Sequence, residues 1–468
     1  LLGASYVFYG WWRVEYIGLI VFSTVVDYVS ALRMGRKETR AGKLPWLILS
    51  LASNLGLLFT FKYLGFFAES AEAISSFIGV GGELNVPALL LPVGISFYTF
   101  QTLAYTIDVY RGQQKPERHL GIFALYVSFW PQLVAGPIER SQNLLPQFRE
   151  RHHFVHSRAV SGLRLMLWGF FLKLVLADRL AIVVNEVYTN PDLYGGWTVV
   201  LATLFFAFQI YGDFAGYSLI AIGAARVMGF DLMQNFRTPY FSQSIGEFWR
   251  RWHISLSTWF RDYLYIPLGG NRVPKQRWYA NLFIVFLVSG LWHGAAWTFV
   301  IWGALHGLYL IIGAATNEYR EKAWGWLADS YDLRSSQTVH SEGVTAPDPS
   351  TFRPWIGTAL TFSFVLFAWV FFRADSLHDA TVLIANTMSP DTAGLGELIQ
   401  SIGAYNLITS AFATLVVLVV DAITGDGDVD RWLQNKSTIL RWALYVALLF
   451  VLAIAGVYDS GEFIYFQF

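Results

Sequence analysis

The chain has 468 residues, 55% of them hydrophobic and 14% charged, with 19 Trp, 24 Tyr and 38 Phe. A soluble domain carries roughly 25% charged residues, so this charge is too scarce to clothe the several soluble domains that the length would otherwise form. Lys plus Arg and Asp plus Glu are 33 each, which removes any bulk electrostatic case for nucleic-acid binding, and zero Cys excludes a disulfide framework, a Cys-ligated metal and a cysteine-borne acyl intermediate.

Residues 1–12 read as the tail of an apolar helix without an initiating Met, and an N-terminal piece is expected to precede them. Apolar stretches near the ~20 residues that a helix needs to cross a bilayer then recur at 14–32, 45–67, 88–110, 162–188, 197–222, 279–315, 355–372, 404–420 and 439–457. The expected fold is all-α, a polytopic integral membrane protein with one transmembrane domain over residues 1–468. The first polar loop carries Arg33, Arg36, Lys37, Arg40 and Lys43 against Glu38, whereas 68–87 carries Glu69, Glu72 and Glu83 and no base. The positive-inside rule places the first in the cytosol and the second outside. Alternation then puts 111–118 in the cytosol, 189–196 outside and 226–277 back in the cytosol.

Segment 120–134 is apolar but short and broken by Pro131. Both its flanks must be cytosolic for the later loops to fit, which predicts a re-entrant or surface-lying helix. The run 279–315 is too long for one upright span and too short for two joined by an ordinary loop, so its topology stays open. Residues 335–350, rich in Ser, Thr and Pro, predict an exposed linker. No internal repeat is visible.

Ionisable residues at membrane depth are costly and point to function. His293, in Gly290-Leu-Trp-His-Gly294, lies about 14 residues into an apolar run, roughly 21 Å along a helix and hence near mid-membrane. The flanking glycines leave room for a reactant, although a histidine satisfied by a neighbouring helix would also sit there. The stretch 247–262, with Arg250, Arg251 and His253 among aromatics, is too polar to cross and too aromatic for a solvated loop. Irregular backbone of this kind is tolerated where it lines a cavity. Arg250 and Arg251 suit phosphates at the cytosolic mouth and suit equally an interfacial anchor. Asp213, far inside a span, fits a proton pathway or, better, a pairing with a cation from a neighbouring helix. Lys62, Lys173, Asp178 and Arg179 lie nearer helix ends and most simply snorkel or pair. His152, His153 and His156 have no carboxylate at ligand spacing, and no metal site is expected. Nucleophile-elbow, Walker, dinucleotide-binding and soluble-acyltransferase motifs are missing. What remains is a buried histidine, or two, reached by a polar channel: a base able to deprotonate an alcohol that attacks an activated ester.

At these residues the sequence resembles the membrane-bound O-acyltransferase family, and within it the bacterial branch of the alginate O-acetylation and teichoic acid D-alanyl transfer membrane proteins. The resemblance covers essentially the whole chain. It is carried by 91–100 with Asp108 to Arg111, by Gln132-Leu-Val-Ala-Gly-Pro-Ile-Glu-Arg140, by Phe248-Trp-Arg-Arg-Trp-His253 continuing through 261–272, by Gly290 to Gly294 and by the closing 463–468. It implies a helical fold around a central tunnel with re-entrant segments, His293 at the near-invariant family histidine and His253 at the second catalytic position. Asp213, Trp252 and Trp292 are candidates for the tunnel wall. The implied donor is an acyl thioester, acetyl-CoA or a carrier protein, with no resident cofactor. The implied acceptor is a hydroxyl on the outer side, served through a separate extracytoplasmic acetyltransferase partner that modifies a secreted polysaccharide. The implied location is the bacterial inner membrane. Ala215 and Leu219 stand where relatives are often more polar, and 132–140 looks more like exopolysaccharide-acetylation relatives than alginate ones. D-alanyl transfer is a second option. The rival from another class is a transporter of a lipid-linked saccharide or ion, which no pair of repeat-related broken helices supports.

Overall fold

The computed structural model describes residues 1–79, 81, 84, 86–87, 89–338, 349–389, 394–458 and 463, the side chains of 327–338 and 349–352 aside. Among them the regular structure is helical throughout, as lipid demands of backbone that must satisfy its own polar groups. Seven helical runs among the described residues are long and apolar enough to cross a bilayer.

The N-terminal bundle comprises α1 (Leu2–Gly10), α2 (Ile17–Gly35), α3 (Arg40–Leu58), α4 (Leu64–Phe77), α5 (Ile95–Arg111) and α6 (Leu120–Ser128). A widened π turn, Phe59–Tyr63, joins α3 to α4. Inside the bundle the buried Asp27 accepts hydrogen bonds from Ser50 Oγ at 2.5 Å and Asn54 Nδ2 at 2.9 Å, which ties α2 to α3. The span expected at 88–110 is helical only from Ile95. Gly94 before it has φ +76°, and a Cβ there would lie 2.6 Å from the Leu133 carbonyl oxygen. Glycine is what lets the returning chain come this close.

That returning chain is segment 120–134. It enters as α6, turns through 129–137 and leaves into α7 (Ser141–Gln147). Arg149 Nη2 meets Glu117 Oε2 at 2.7 Å, so both flanks lie at one end of the molecule, as a re-entrant excursion requires.

α8 (His156–Phe170) continues through a second π turn, Phe171–Ala177, into α9 (Asp178–Thr189), and α8 packs on the long central α10 (Trp197–Val227). Glycines seven apart on each helix meet in register: a Cβ on Gly162 would stand 2.5 Å from the Gly223 carbonyl oxygen, and one on Gly169 2.7 Å from that of Gly216. Small residues let the backbones touch where the bilayer offers no hydrophobic drive between helices. Lys173 pairs with both Asp213 at 2.7 Å and Asp178 at 2.8 Å. Arg179 donates to Asn406 Oδ1 and to the Ala455 carbonyl.

The C-terminal half holds α11 (Ile245–Arg251), α12 (Ile254–Phe260), α13 (Lys275–His293), α14 (Trp297–Thr338), α15 (Pro349–Arg373), α16 (Leu377–Asn386), α17 (Leu395–Ile402), α18 (Ala404–Thr424), α19 (Val429–Gln434) and α20 (Thr438–Ala455). The open run 279–315 resolves into an antiparallel hairpin, α13 and α14, broken at 294–296. A Cβ on Gly290 would overlap the Phe299 carbonyl oxygen, and one on Gly303 that of Phe286. Of the linker expected at 335–350, residues 335–338 are the end of α14 and 349–350 the start of α15. Residues 339–348, and 464–468 of the closing motif, lie outside the described residues.

Candidate active site

His293 is the last residue of α13, at the tip of the hairpin, so its position is set by how that helix ends. The chain leaves through Gly294 in extended conformation (φ −156°) rather than a left-handed cap. The final carbonyls are taken from elsewhere. Tyr63 Oη donates to the Leu291 carbonyl at 3.0 Å, and Lys62 Nζ donates to those of Trp292 at 2.8 Å and His293 at 2.9 Å.

His253 joins α11 to α12 with φ +43°, one of two non-glycine residues with positive φ among those described. Such backbone is strained for a residue with a Cβ and persists only where the surroundings over-determine it. Here Asn235 does so: its carbonyl accepts from Ile254 N–H at 2.9 Å and its Oδ1 from Ser255 N–H at 3.2 Å. Ser255 Oγ in turn accepts from Ile138 N–H at 3.1 Å, so the 132–140 motif buttresses the His253 turn. The imidazole is fully buried and lies 4.5 Å from the Phe214 ring, 5.9 Å from Trp292 and 6.3 Å from His293, centre to centre. Two imidazoles at that spacing do not hydrogen-bond each other directly, but one oxygen atom placed between them can meet both.

Two cavities approach this pair. One, of about 330 Å³, is walled by Arg13, Lys62, the 90–97 segment, Trp292 and His293. The other, of about 720 Å³, is lined by Arg237, Arg250, Arg251, Arg261, Ser257 and Ser289, among others. Most of these residues belong to the 226–277 stretch that the charge pattern assigns to the cytosol. Arg251 is held by Glu247 at 2.6 Å and Thr238 at 3.2 Å, and Arg261 by Asp262 at 2.8 Å. Ser289 faces the larger cavity and His293 the smaller, so the two are separated on α13 by a single turn, ~6 Å of rise.

The sequence candidates therefore divide. His293 and Trp292 wall the smaller cavity, His253 lies beside both without lining either cavity, and Arg250 and Arg251 line the larger one. Asp213 and Trp252 stand off the described walls of both cavities: Asp213 is neutralised by Lys173, and Trp252 is packed among Phe236, Phe248 and Trp369. His152 packs against Phe230 and donates to the Gln147 carbonyl.

Two further residues stand beside the site. Lys62, expected to snorkel or pair, reaches the chain 230 positions away. His306 on α14 is fully buried, and its Nδ1 accepts from Trp249 Nε1–H at 3.2 Å, which assigns the proton to Nε2. The Trp302 ring lies between the two histidines of the hairpin, 4.9 Å from His293 and 4.9 Å from His306. The cost of ionisable groups in an apolar run flags both, and it is the same signal that found His293.

The family model for membrane-bound O-acyltransferases matches residues 119–329. Across its whole length the chain is 37% identical to the probable alginate O-acetylase AlgI of Pseudomonas putida and covers 94% of that protein. It is 32% identical, again over all of its length, to the peptidoglycan O-acetyltransferase of Helicobacter pylori, covering 91% of it. With the teichoic acid D-alanyltransferase of Streptococcus thermophilus it shares 30% identity over 61% of this chain and 69% of that one.

Proposed function

This chain belongs to the membrane-bound O-acyltransferase family, and on that footing we propose that it carries an acetyl group from a cytosolic thioester to a hydroxyl presented from the opposite face. It is a multi-pass membrane O-acyltransferase. One observation carries it: two cavities reach α13 within a single turn of each other, with His293 in the wall of one and four arginines in the wall of the other.

The thioester donor, acetyl-CoA or a carrier's prosthetic group, is anionic at its phosphates, and Arg250, Arg251, Arg237 and Arg261 suit it. Its acyl end reaches toward Ser289 and the histidine pair. The acceptor O–H enters from the smaller cavity. As its oxygen bonds to the carbonyl carbon, His293 takes the proton, and the carbonyl oxygen becomes an oxyanion that His253 is placed to receive as a hydrogen-bond donor. Collapse breaks the carbon–sulfur bond, and the proton held by His293 goes to the leaving thiolate. Acetyl is favoured over D-alanyl because the relatives named as O-acetylating enzymes align over nearly their whole lengths and the D-alanyltransferase over 69% of its own.

A polymer cannot thread to a histidine held inside an apolar core ~30 Å thick, whereas a flexible side chain can. We therefore assign final delivery to a separate outer-face transferase with its own Ser or Tyr acceptor, acting on a secreted polysaccharide, with this chain in the bacterial inner membrane.

The test uses purified protein in liposomes with labelled acetyl-CoA inside. Label should reach an outer-face acceptor protein, and His293→Ala should lower the rate by about 10²–10⁴-fold, the span general bases supply. Most of the activity surviving in His293→Ala would sink the central claim. Absence of any thioester turnover by the parent would favour the transporter reading. Efficient acetylation of external polysaccharide with no partner present would overturn the division of labour.

A further inference from the structure

We propose that Lys62 is a positioning residue for the reaction, its ammonium fixing His293 by holding the end of the helix that carries it; this rests on His293 being the base. The last four carbonyls of any α-helix have no partner within the helix. At the end of α13 the Gly290 carbonyl accepts from Gly294 N–H at 3.2 Å, and the other three are met from the far bundle: Leu291 by Tyr63 Oη, Trp292 and His293 by Lys62 Nζ. No left-handed cap follows, because Gly294 is extended. Water, the usual substitute at exposed helix ends, would not fix the reacting imidazole as a side chain anchored on another helix does. One side chain thus satisfies the two carbonyls nearest the reacting imidazole, including that of His293 itself. A cation at a helix C-terminus is also the sign that the macrodipole favours.

Lys62 is placed for this by the π turn Phe59–Tyr63, where the widened backbone presents Lys62 and Tyr63 together to the tip of α13. Such turns inside helices occur often at functional sites. Among the described residues no carboxylate pairs with Lys62, which sets it apart from Lys173, held by two aspartates. Its side chain also walls the 330 Å³ cavity of His293 and a neighbouring one of about 400 Å³ that includes Thr298, Phe299 and Arg373. It is therefore open to reagents that enter from that side.

The native chain has no cysteine, so Lys62→Cys creates a unique thiol. With 2-bromoethylamine the thiolate sulfur bonds to carbon as bromide leaves, and the side chain then ends in an ammonium at lysine length. Bromoethane gives a neutral thioether of similar bulk. In liposomes with acetyl-CoA inside, the ethylated protein should lose kcat by about 10²-fold, the cost of a displacement of ~1 Å at a reacting group, with KM for acetyl-CoA unchanged because that donor binds at the other end. The aminoethylated protein should return most of the lost rate, as should Lys62→Arg. Equal rates in the ethylated and aminoethylated proteins, or full activity in Lys62→Met, would overturn the proposal. His293→Ala is run beside them. If it is inactive while the Lys62 variants are fully active, only the positioning role fails; if it is active, the base assignment fails and this inference with it.

Discussion

A methyl group placed on Gly290 tests the link between helix packing and rate. In the hairpin the Gly290 Cβ would overlap the Phe299 carbonyl oxygen and stand 3.2 Å from the Gly303 Cα. Carbon atoms pack comfortably at about 3.7 Å, so this second contact alone asks for about 0.5 Å, and the overlapped oxygen raises the required parting of α13 from α14 to about 1 Å. His293 lies three residues further along α13, at its end, and moves with it. A displacement of that size costs about 10² in rate when it falls on a reacting group. Stability should change less. Overpacking costs about 1–3 kcal/mol, while Ala is favoured over Gly in a helix by about 1 kcal/mol. Gly290→Ala should therefore unfold in detergent within a few degrees of the parent and yet transfer label from internal acetyl-CoA at about one-hundredth of its rate. Gly313→Ala, on the same hairpin but with nothing within 4 Å of the added carbon, is the control and should match the parent in both assays. A Gly290→Ala protein with parent-like kcat would refute the claim that this backbone contact sets the position of His293.

His253→Ala should lose activity strongly and some stability, since Ala tolerates φ +43° poorly; His253→Asn should keep more of both, because Asn accepts left-handed backbone and its amide can donate to an oxyanion. Equal transfer rates in the two variants would argue that protonation of His253 itself is required. Burial would push the Glu117 carboxyl up, but the Arg149 guanidinium and the His119 N–H hold it below its usual 4.5. The stability it adds is thus fully present above about pH 4.5 and is lost as pH falls through the lower folded-state value, so detergent melting should fall below pH 4.5 less steeply in Glu117→Gln than in the parent. Parallel curves would remove Glu117 from the account. Single cysteines at Glu117 and Gln142 should label from the same face of sealed vesicles, and labelling from opposite faces would contradict the re-entrant course of 120–134.

Much of this arrangement is legible in the sequence. His293 and His253 stand out because imidazoles in apolar or aromatic surroundings are expensive, and segment 120–134 because charge parity forces both its flanks to one side. The break at 294–296 was not legible: Gly-Ala-Ala reads as helix as readily as turn, and what ends α13 is a lysine and a tyrosine from another bundle. The role of Lys62 was hidden for the same reason, its partners lying some 230 positions along the chain. Asp213 could be assigned a pairing but not a partner, since Lys173 is brought to it by the register of α8 and its π turn on α10. The seven-residue spacing of Gly162 with Gly169 and of Gly216 with Gly223 stands in the sequence, and it acquires meaning only once those two helices are seen to run against each other.

The single turn of α13 between Ser289 and His293 has an energetic consequence for the proposed route. If water fills both cavities, nearly all of the membrane voltage drops across that turn, where one elementary charge crossing would be worth ~2.3 kcal/mol per 100 mV. Exchange of an acyl group for a proton moves formally one positive unit outward and one inward, so the completed reaction is electrically silent. Its direction is then set by the free energy of thioester against ester and by the concentrations on each side, and a de-energised membrane should support the same final extent of transfer as a polarised one.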